Sequence, residues 1–422
     1  MIQRFIDLAT FFTSDSRLVT PESIFVALKG DKTDGHDFVE GLLRSGITAA
    51  VVRANYPGSD PRLIKVTDPH RTHRELAHAF RKKSKAKIIA IGGSNGKTTT
   101  KEFLSALCET KFRTVRTEKS QNGELGIPRT LEKLRPDTEV AIIEVGIDGP
   151  GDMKRHAELV APDVACLTSI GEEHLNHLKD LETIYSEERI LFDVTKSRGG
   201  ALFAPEADPF LQRYGAPVHF VPASPVPAGI PFQHPHARQN ALLAGAVFRF
   251  LGGSAAELEA AWSQLQLPEG RAQLKEFRGG EVCVFADHYN ANPSSMNAAL
   301  AFAAEEARRR GLPLTLLLGD MFDLGEETER AHLSLVTTVR ASGAARVFFI
   351  GPEMTRLRAS VGPLSNTRIE TFASTDAARG SPAFSELQRE PRGFIFLKGS
   401  RGMRLEALLQ PLESGFGAKA KP

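Results

Sequence analysis

Cysteine is scarce in this 422-residue chain: Cys108, Cys166 and Cys283 are the only three, far apart and without a C-x-x-C spacing. That excludes a disulfide framework and a cysteine zinc site. Charge of one sign is lacking too, since 53 Lys and Arg meet 51 Asp and Glu for a net of +2. A nucleic-acid partner therefore has no strong electrostatic case. The basic run Arg81, Lys82, Lys83, Lys85 and Lys87 is expected to be a solvated linker rather than a phosphate patch. No stretch approaches the ~20 apolar residues of a membrane span, and MIQRFIDLATFF has an early acid and no apolar signal region. A cytoplasmic protein is expected. What is present is ordinary globular material, 41% hydrophobic and 25% charged, in a chain too long for one core, so two or three domains are expected.

Against that plain background stands KIIAIGGSNGKTTTKEF, Lys87 to Phe103. Ile88, Ile89 and Ile91 suit a buried strand, Gly93 and Gly96 permit a tight loop, and the residues from Thr98 to Leu107 continue as a helix. A strand, glycine turn and helix N-terminus together make a phosphate cradle, with Gly93, Ser94, Asn95, Gly96, Lys97, Thr98 and Thr99 around a nucleotide. Lys97 would neutralise β/γ-phosphate charge and Thr98 would ligate Mg²⁺. The spacing is G-x-x-G-K-T; an ordinary Walker A would need glycine where Ile91 stands. ATP or GTP is the expected ligand.

Three regions follow from the alternation of patterns, with expected boundaries 1–82, 83–268 and 269–422. The first is a small α/β module with strand-like IFVALKG and AAVVRA. In the second, strands alternate with helices through VAIIEVG, MKRHAELV, DVACLTSIG and a helix from Tyr185 to Phe192, which predicts a parallel sheet wrapped by helices. Prolines between Pro205 and Pro235 predict loops and short edge strands, before the helix HARQNALLAGAVFRFLG. The third carries strand-like VCVFADHY, LTLLLGD, VFFIG and GFIFLKG, another open α/β sheet. The tail GFGAKAKP is expected to be disordered.

Open α/β sheets put ligand sites at the carboxyl ends of strands. VAIIEVG ends in Glu144, placed to hold Mg²⁺ or else to cap a helix. DVACLTSIG leads to Glu172, Glu173 and His174, the histidine being either a second metal ligand or a structural imidazole. FADHYNANPSSM brings Asp287, Tyr289, Asn290 and Asn292, LGDMFDLGEE brings Asp320, Asp323 and Glu326, and FLKGSRGM brings Lys398, Ser400 and Arg401. These are a substrate pocket or turn chemistry only.

The ordered set DSR, DGHDF, GSNGKTTTKE, NGELGIP, EVG, GEEHL, RQNALLA, EGR, DHYNANPSSM, LGDMFDLGEE and KGSRGM resembles the Mur ligase family, over nearly the whole chain. The resemblance implies three domains: an N-terminal α/β domain for a UDP-muramoyl-peptide, a central P-loop ATPase domain, and a C-terminal Rossmann-like domain that closes over the site. It also implies a monomer and an ATP- and Mg²⁺-dependent ligase in peptidoglycan synthesis. In the branch indicated by YNANPSSM, LGDMFDLGE and KGSRGM, that enzyme joins UDP-N-acetylmuramoyl-tripeptide to D-alanyl-D-alanine through an acyl phosphate. Carried over by motif, Lys97 contacts phosphates, Thr98 and Glu144 hold one Mg²⁺ and His174 a second, Asn240 lies by adenine, Arg271 by phosphate and Asp287 by ribose. Asn122, Asn290, Asn292, Lys398 and Ser400 fall to the substrates, and Asp15, Ser16 and Arg17 with Asp34, Gly35 and His36 to the UDP-sugar.

The chain departs from the pattern in three places. Where most Mur ligases carry a carbamylated lysine, it has Glu188, which either replaces the carbamate's charge at the second Mg²⁺ or is an ordinary exposed helix residue. Gly123 stands where a second asparagine is usual, and the short segment ahead of Asp15 suggests that a first strand is missing. A Mur-type ligase for another acid and amine, or a nucleotide-binding paralogue that does not ligate, are the competing readings.

Overall fold

The short apolar runs near the N-terminus become a four-stranded parallel sheet: β1 (Phe11–Thr13), β2 (Ser23–Val26), β3 (Ala49–Arg53) and β4 (Leu63–Val66), paired in that order. This computed structural model describes residues 2–30 and 33–417. The strand thought missing ahead of Asp15 is present as β1, whose three residues are all buried. Its shortness hid it, and Phe12 anchors it by packing on His73 and Phe80 of the helix Pro69–Lys83.

That helix takes in Arg81, Lys82 and Lys83 of the basic run expected to be a solvated linker; Lys82, Lys83, Lys85 and Lys87 are exposed, and Arg81 is the exception. Arg81 is 6% exposed; its Nε donates to the Val160 carbonyl (2.9 Å) and its Nη2 to that of Ala161 (2.7 Å), satisfying the last carbonyls of the helix Asp152–Val160. Lys83 donates to the Ile6 carbonyl at 2.7 Å. A buried network reinforces the same junction between the first two sheets: Glu132 accepts from Ser14 Oγ (3.0 Å) and lies 2.8 Å from His73 Nε2.

The second sheet is wholly parallel: β5 (Lys87–Gly92), β6 (Thr114–Arg116), β7 (Val140–Glu144), β8 (Val164–Leu167), β9 (Ala201–Pro205) and β10 (His219–Val221) lie in the order β10-β9-β8-β5-β7-β6. Strand order reverses at β5, with β6 and β7 on one side and β8 on the other. The carboxyl end of β5 is therefore the crevice where such sheets bind ligands. The proline-dense stretch yields the short edge strand β10, as expected, and Pro235–Phe250 is helical. The single helix expected from Tyr185 to Phe192 is instead two, Leu181–Glu188 and Ile190–Ser197, parted at Arg189.

In the third sheet β11 (Gln273–Phe277) runs antiparallel to β12 (Val282–Ala286), while β13 (Leu314–Gly319), β14 (Arg346–Ile350), β15 (Arg368–Phe372) and β16 (Gly393–Lys398) are parallel to it, in the order β11-β12-β16-β13-β14-β15. The chain divides into two compact units: Met1–Ser169 with Tyr185–Pro231 and Gln239–Leu265, and Ile170–Ile184 with Phe232–Arg238 and Gln266–Pro422. The first unit holds β1–β10 and the second β11–β16. Of the tail expected to be disordered, Gly415 closes the helix Glu406–Gly415 and Phe416, 1% exposed, joins the core of the third sheet. The remainder, 418–422, lies outside the described residues.

Candidate active site

At the crevice, β5 passes into a loop turned by Gly93 (φ 104°) and Gly96 (φ 92°) and then into the helix Lys97–Glu109. A Cβ on Gly93 would stand 2.6 Å from Thr168 Oγ1, and one on Gly96 2.7 Å from Asn240 Oδ1. Both positions thus need glycine for backbone angle and for space. Residues beyond β8 brace the loop. Thr168 Oγ1 donates to the Gly92 carbonyl at 3.0 Å, Ser94 N–H to the Ser169 carbonyl at 2.8 Å, and Asn95 N–H to Ser169 Oγ at 3.1 Å. The Lys97 ammonium folds over the loop to the Gly93 (2.5 Å) and Ser94 (3.4 Å) carbonyls. Thr99 is buried in the first turn of the helix, whose amides have no intrahelical acceptor and favour an anion.

Glu144, ending β7 and 1% exposed, faces this helix. Its Oε1 accepts from Thr98 Oγ1 (3.0 Å) and Asn122 Nδ2 (2.9 Å), while Ser120 Oγ lies 3.2 Å from Thr98 Oγ1. Thr98 and Glu144 are thus brought together, and Asn122, expected to serve substrate, donates to the same carboxylate. Lys101, which sequence reasoning passed over, has a fully buried side chain with Nζ 3.4 Å from Glu144 Oε2. Its signal was available, since it lies one helical turn beyond Thr98 on the same face. The donors at Thr98 and Glu144 are all oxygen, the chemistry that suits a hard ion such as Mg²⁺, which takes one or two carboxylates plus phosphate and water. Among the described residues no group of three or more His, Cys, Asp or Glu is placed to hold a metal.

Glu188 is 0% exposed, so it is not an exposed helix residue. Its Oε2 accepts the Gly93 N–H at 2.9 Å, placing a carboxylate directly behind the phosphate loop. Asn240, expected by adenine, lies against Gly96 of the same loop.

On the first sheet, Asp15 and Asp34 each cap a 3₁₀ turn and pair with Arg17 and His36 at 2.6 Å. The Arg17 guanidinium holds the Asp15 carboxyl below its ordinary range. Ser16 opens the first of these turns and Gly35 the second. His36 is buried between Asp34 and the Arg53 N–H, which donates to its Nε2 at 3.0 Å.

The second unit carries the other predicted residues. His174, in the left-handed region (φ 48°), precedes the short helix Leu175–Leu178. Asp287 and Lys398 form an ion pair at 2.5 Å, the Asp287 Oδ1 also accepting from the Ala272 N–H at 3.0 Å. Lys398 further donates to the Asn290 carbonyl at 3.0 Å. Ser400 Oγ accepts from the Phe322 N–H at 2.9 Å, and Asn292 caps the helix Pro293–Arg310. Arg271 and Arg401 both approach the Tyr289 ring, at 4.3 and 5.4 Å. Asp320 resolves toward turn chemistry, since its carboxylate caps the helix Pro352–Val361 through the Glu353 and Met354 amides.

Comparison with known proteins places this geometry. Three family models match in turn: the Mur ligase family catalytic domain over residues 9–85, the Mur ligase middle domain over 91–219, and the Mur ligase glutamate ligase domain over 270–401. The chain is 30% identical to the UDP-N-acetylmuramoyl-tripeptide–D-alanyl-D-alanine ligase of Treponema pallidum, covering 94% of this chain and 92% of the relative. It is 27% identical to the enzyme of the same name from Bacillus subtilis, again over 94% and 92%. The fold matches MurF of Thermotoga maritima, solved in complex with ADP, at TM-score 0.78 and 23% identity over 97% and 98% of the two chains. MurF of Acinetobacter baumannii matches at TM-score 0.77 and 24% identity over 96% and 93%. With the cradle, three sheets and an end-to-end match in hand, the chain belongs to the Mur ligase family.

Proposed function

We propose that the chain is the ligase that joins D-alanyl-D-alanine to UDP-N-acetylmuramoyl-tripeptide at the expense of ATP, as a monomer in the cytoplasm. The observation that carries this reading is the meeting of Thr98 and Glu144 beside the Gly93–Thr98 loop, in a chain that matches ligases of that name along almost its full length. No helix among the described residues is long and apolar enough to cross a membrane.

The chemistry asked of these residues is charge management. The tripeptide carboxylate attacks the γ-phosphate, breaking the bond to ADP and giving an acyl phosphate. The dipeptide amine then attacks that carbonyl, phosphate leaves, and an amide remains. Lys97 and the first-turn amides hold phosphate charge. Thr98 and Glu144 would hold Mg²⁺, which when bound neutralises phosphate oxygens. Arg271 adds a cation for the transferring group, and Asp287 and Asn240 serve the nucleoside. His174 and Glu188 serve a second ion, Glu188 supplying as a fixed carboxylate the charge that relatives obtain by carbamylating a lysine. Asp15 to Arg17 and Asp34 to His36 take the UDP-sugar; Asn290, Asn292, Lys398 and Ser400 take the dipeptide side. No protein nucleophile is required.

Phosphate release tests the reading. It is expected only with both UDP-N-acetylmuramoyl-tripeptide and D-alanyl-D-alanine present, and running tripeptides with meso-diaminopimelate and with lysine identifies the third residue. Turnover only with another acid and amine, or ATP binding with no turnover, overturns it.

A further inference from the structure

Lys101 is a fully buried charge beside the cradle. Its side chain is fully inaccessible, with Nζ 3.0 Å from Glu102 Oε1 and 3.4 Å from Glu144 Oε2, and it also donates to the Lys119 carbonyl. Burying an ammonium without partners is prohibitively costly, and so is burying a carboxylate. Among the described residues the other oxygen of Glu144 has only neutral donors, Thr98 and Asn122. The Lys101 ammonium is therefore the cation that balances Glu144.

We propose that Lys101 is a positioning residue that stands in for the divalent ion at Glu144, holding the carboxylate in place and keeping its affinity for free ions low. This rests on the ion-site reading of Thr98 and Glu144 given above. A fixed positive charge a few ångströms from a carboxylate repels an incoming dication, so the site fills effectively only when nucleotide phosphates add negative charge. Lys101 does not lose all its partners when Glu144 turns to an ion, because Glu102 and the Lys119 carbonyl remain. The protein then avoids loading metal without nucleotide, and the carboxylate is preorganised rather than mobile before ATP arrives.

The test is Mn²⁺ binding to nucleotide-free protein, read by electron paramagnetic resonance of the free ion. K101Q is expected to bind Mn²⁺ about tenfold tighter than the parent chain, the repulsion of one neighbouring charge, and K101Q/E144Q is expected to lose that gain. Equal affinity of K101Q and parent, or a gain that survives E144Q, overturns the proposal. Should K101Q fail to fold, K101Q/E144Q, which lacks both charges, is expected to fold; a double variant as unstable as the single one also overturns it. The two readings fail separately. A parent chain that does not ligate removes the assigned reaction without touching the Mn²⁺ result, whereas an unshifted Mn²⁺ affinity in an active ligase removes only the role of Lys101.

Discussion

Glu188 occupies one of the costliest places for a charge, fully buried behind a glycine loop, and spends one oxygen on the Gly93 amide. A neutral hydrogen-bond acceptor would serve the Gly93 amide as well; the charge is what the second-ion reading uses. E188Q keeps an acceptor for Gly93 and removes the charge. It is expected to lower phosphate release at least about tenfold while leaving the melting temperature within a few degrees. Parent-like turnover in E188Q, with E188A impaired, would mean that Glu188 only braces the loop. Residues of this kind divide by how they could be read. The placement of Lys97, Thr98 and Glu144 at the loop was legible because each ends a recognisable strand or opens a helix. That the Asn122 amide turns to Glu144, 22 residues on, was not legible, because nothing local reveals it. Arg81 was expected in a solvated linker and Lys101 drew no reading, since a lysine or arginine in a helix gives no sign of burial until its partner on another element is known.

The loop between β5 and the helix Lys97–Glu109 works as an element through two left-handed glycines. At Gly96 a side chain would be strained by the φ of 92° and would meet Asn240 at 2.7 Å. G96A should therefore weaken ADP binding at least about tenfold, from about 1–3 kcal/mol of backbone strain plus the collision, as measured by titration calorimetry. Because Asn240 is itself assigned to the nucleoside, the collision is read from the full cycle of G96A, N240A and G96A/N240A: a double variant that loses less than the sum of the two means that the collision contributes, and an additive one assigns the G96A effect to the backbone. Among strands, the buried apolar runs β5, β7, β8, β12, β13, β14 and β16 were all legible. The edge strands β11 (QLKEF) and β15 (RIETF) were not, because each pairs on one side only and is largely polar. In β15, Glu370 pairs with Arg346 of the neighbouring strand and with Arg368, a pattern that from sequence looks like a loop. The helix Ala255–Ala261 was passed over although Ser254 and Glu257 spell its capping box.

At the scale of the molecule, acid should find the second unit through its buried histidines. His234, 7% exposed, packs its ring on Phe285 and Phe302, and neither ring nitrogen has a hydrogen-bond partner among the described residues. Burial carries its pKa down to about 4 from 6.5; Asp287 pulls the other way, while His236 and Lys398 reinforce burial. Burial depresses His236 and His288 as well, against Asp287 in both cases and against Glu406 at His288, with Lys398 and Arg401 respectively adding to the depression. A histidine whose folded pKa lies below its unfolded value contributes stability that is complete above the unfolded value and is lost as pH falls, here from about 6.5 toward about 4. For His234 the loss is about 3 kcal/mol across that window. Calorimetric unfolding of the full chain at pH 7 and pH 5 should show a melting temperature that drops with acid. H234F places a third aromatic ring among Phe285 and Phe302 with no nitrogen to protonate, so its drop over the same interval should be smaller, with His236 and His288 supplying what remains. Parallel profiles for the parent and H234F would mean that the imidazole of His234 gains its proton without cost, and that the acid limb arises elsewhere in the chain.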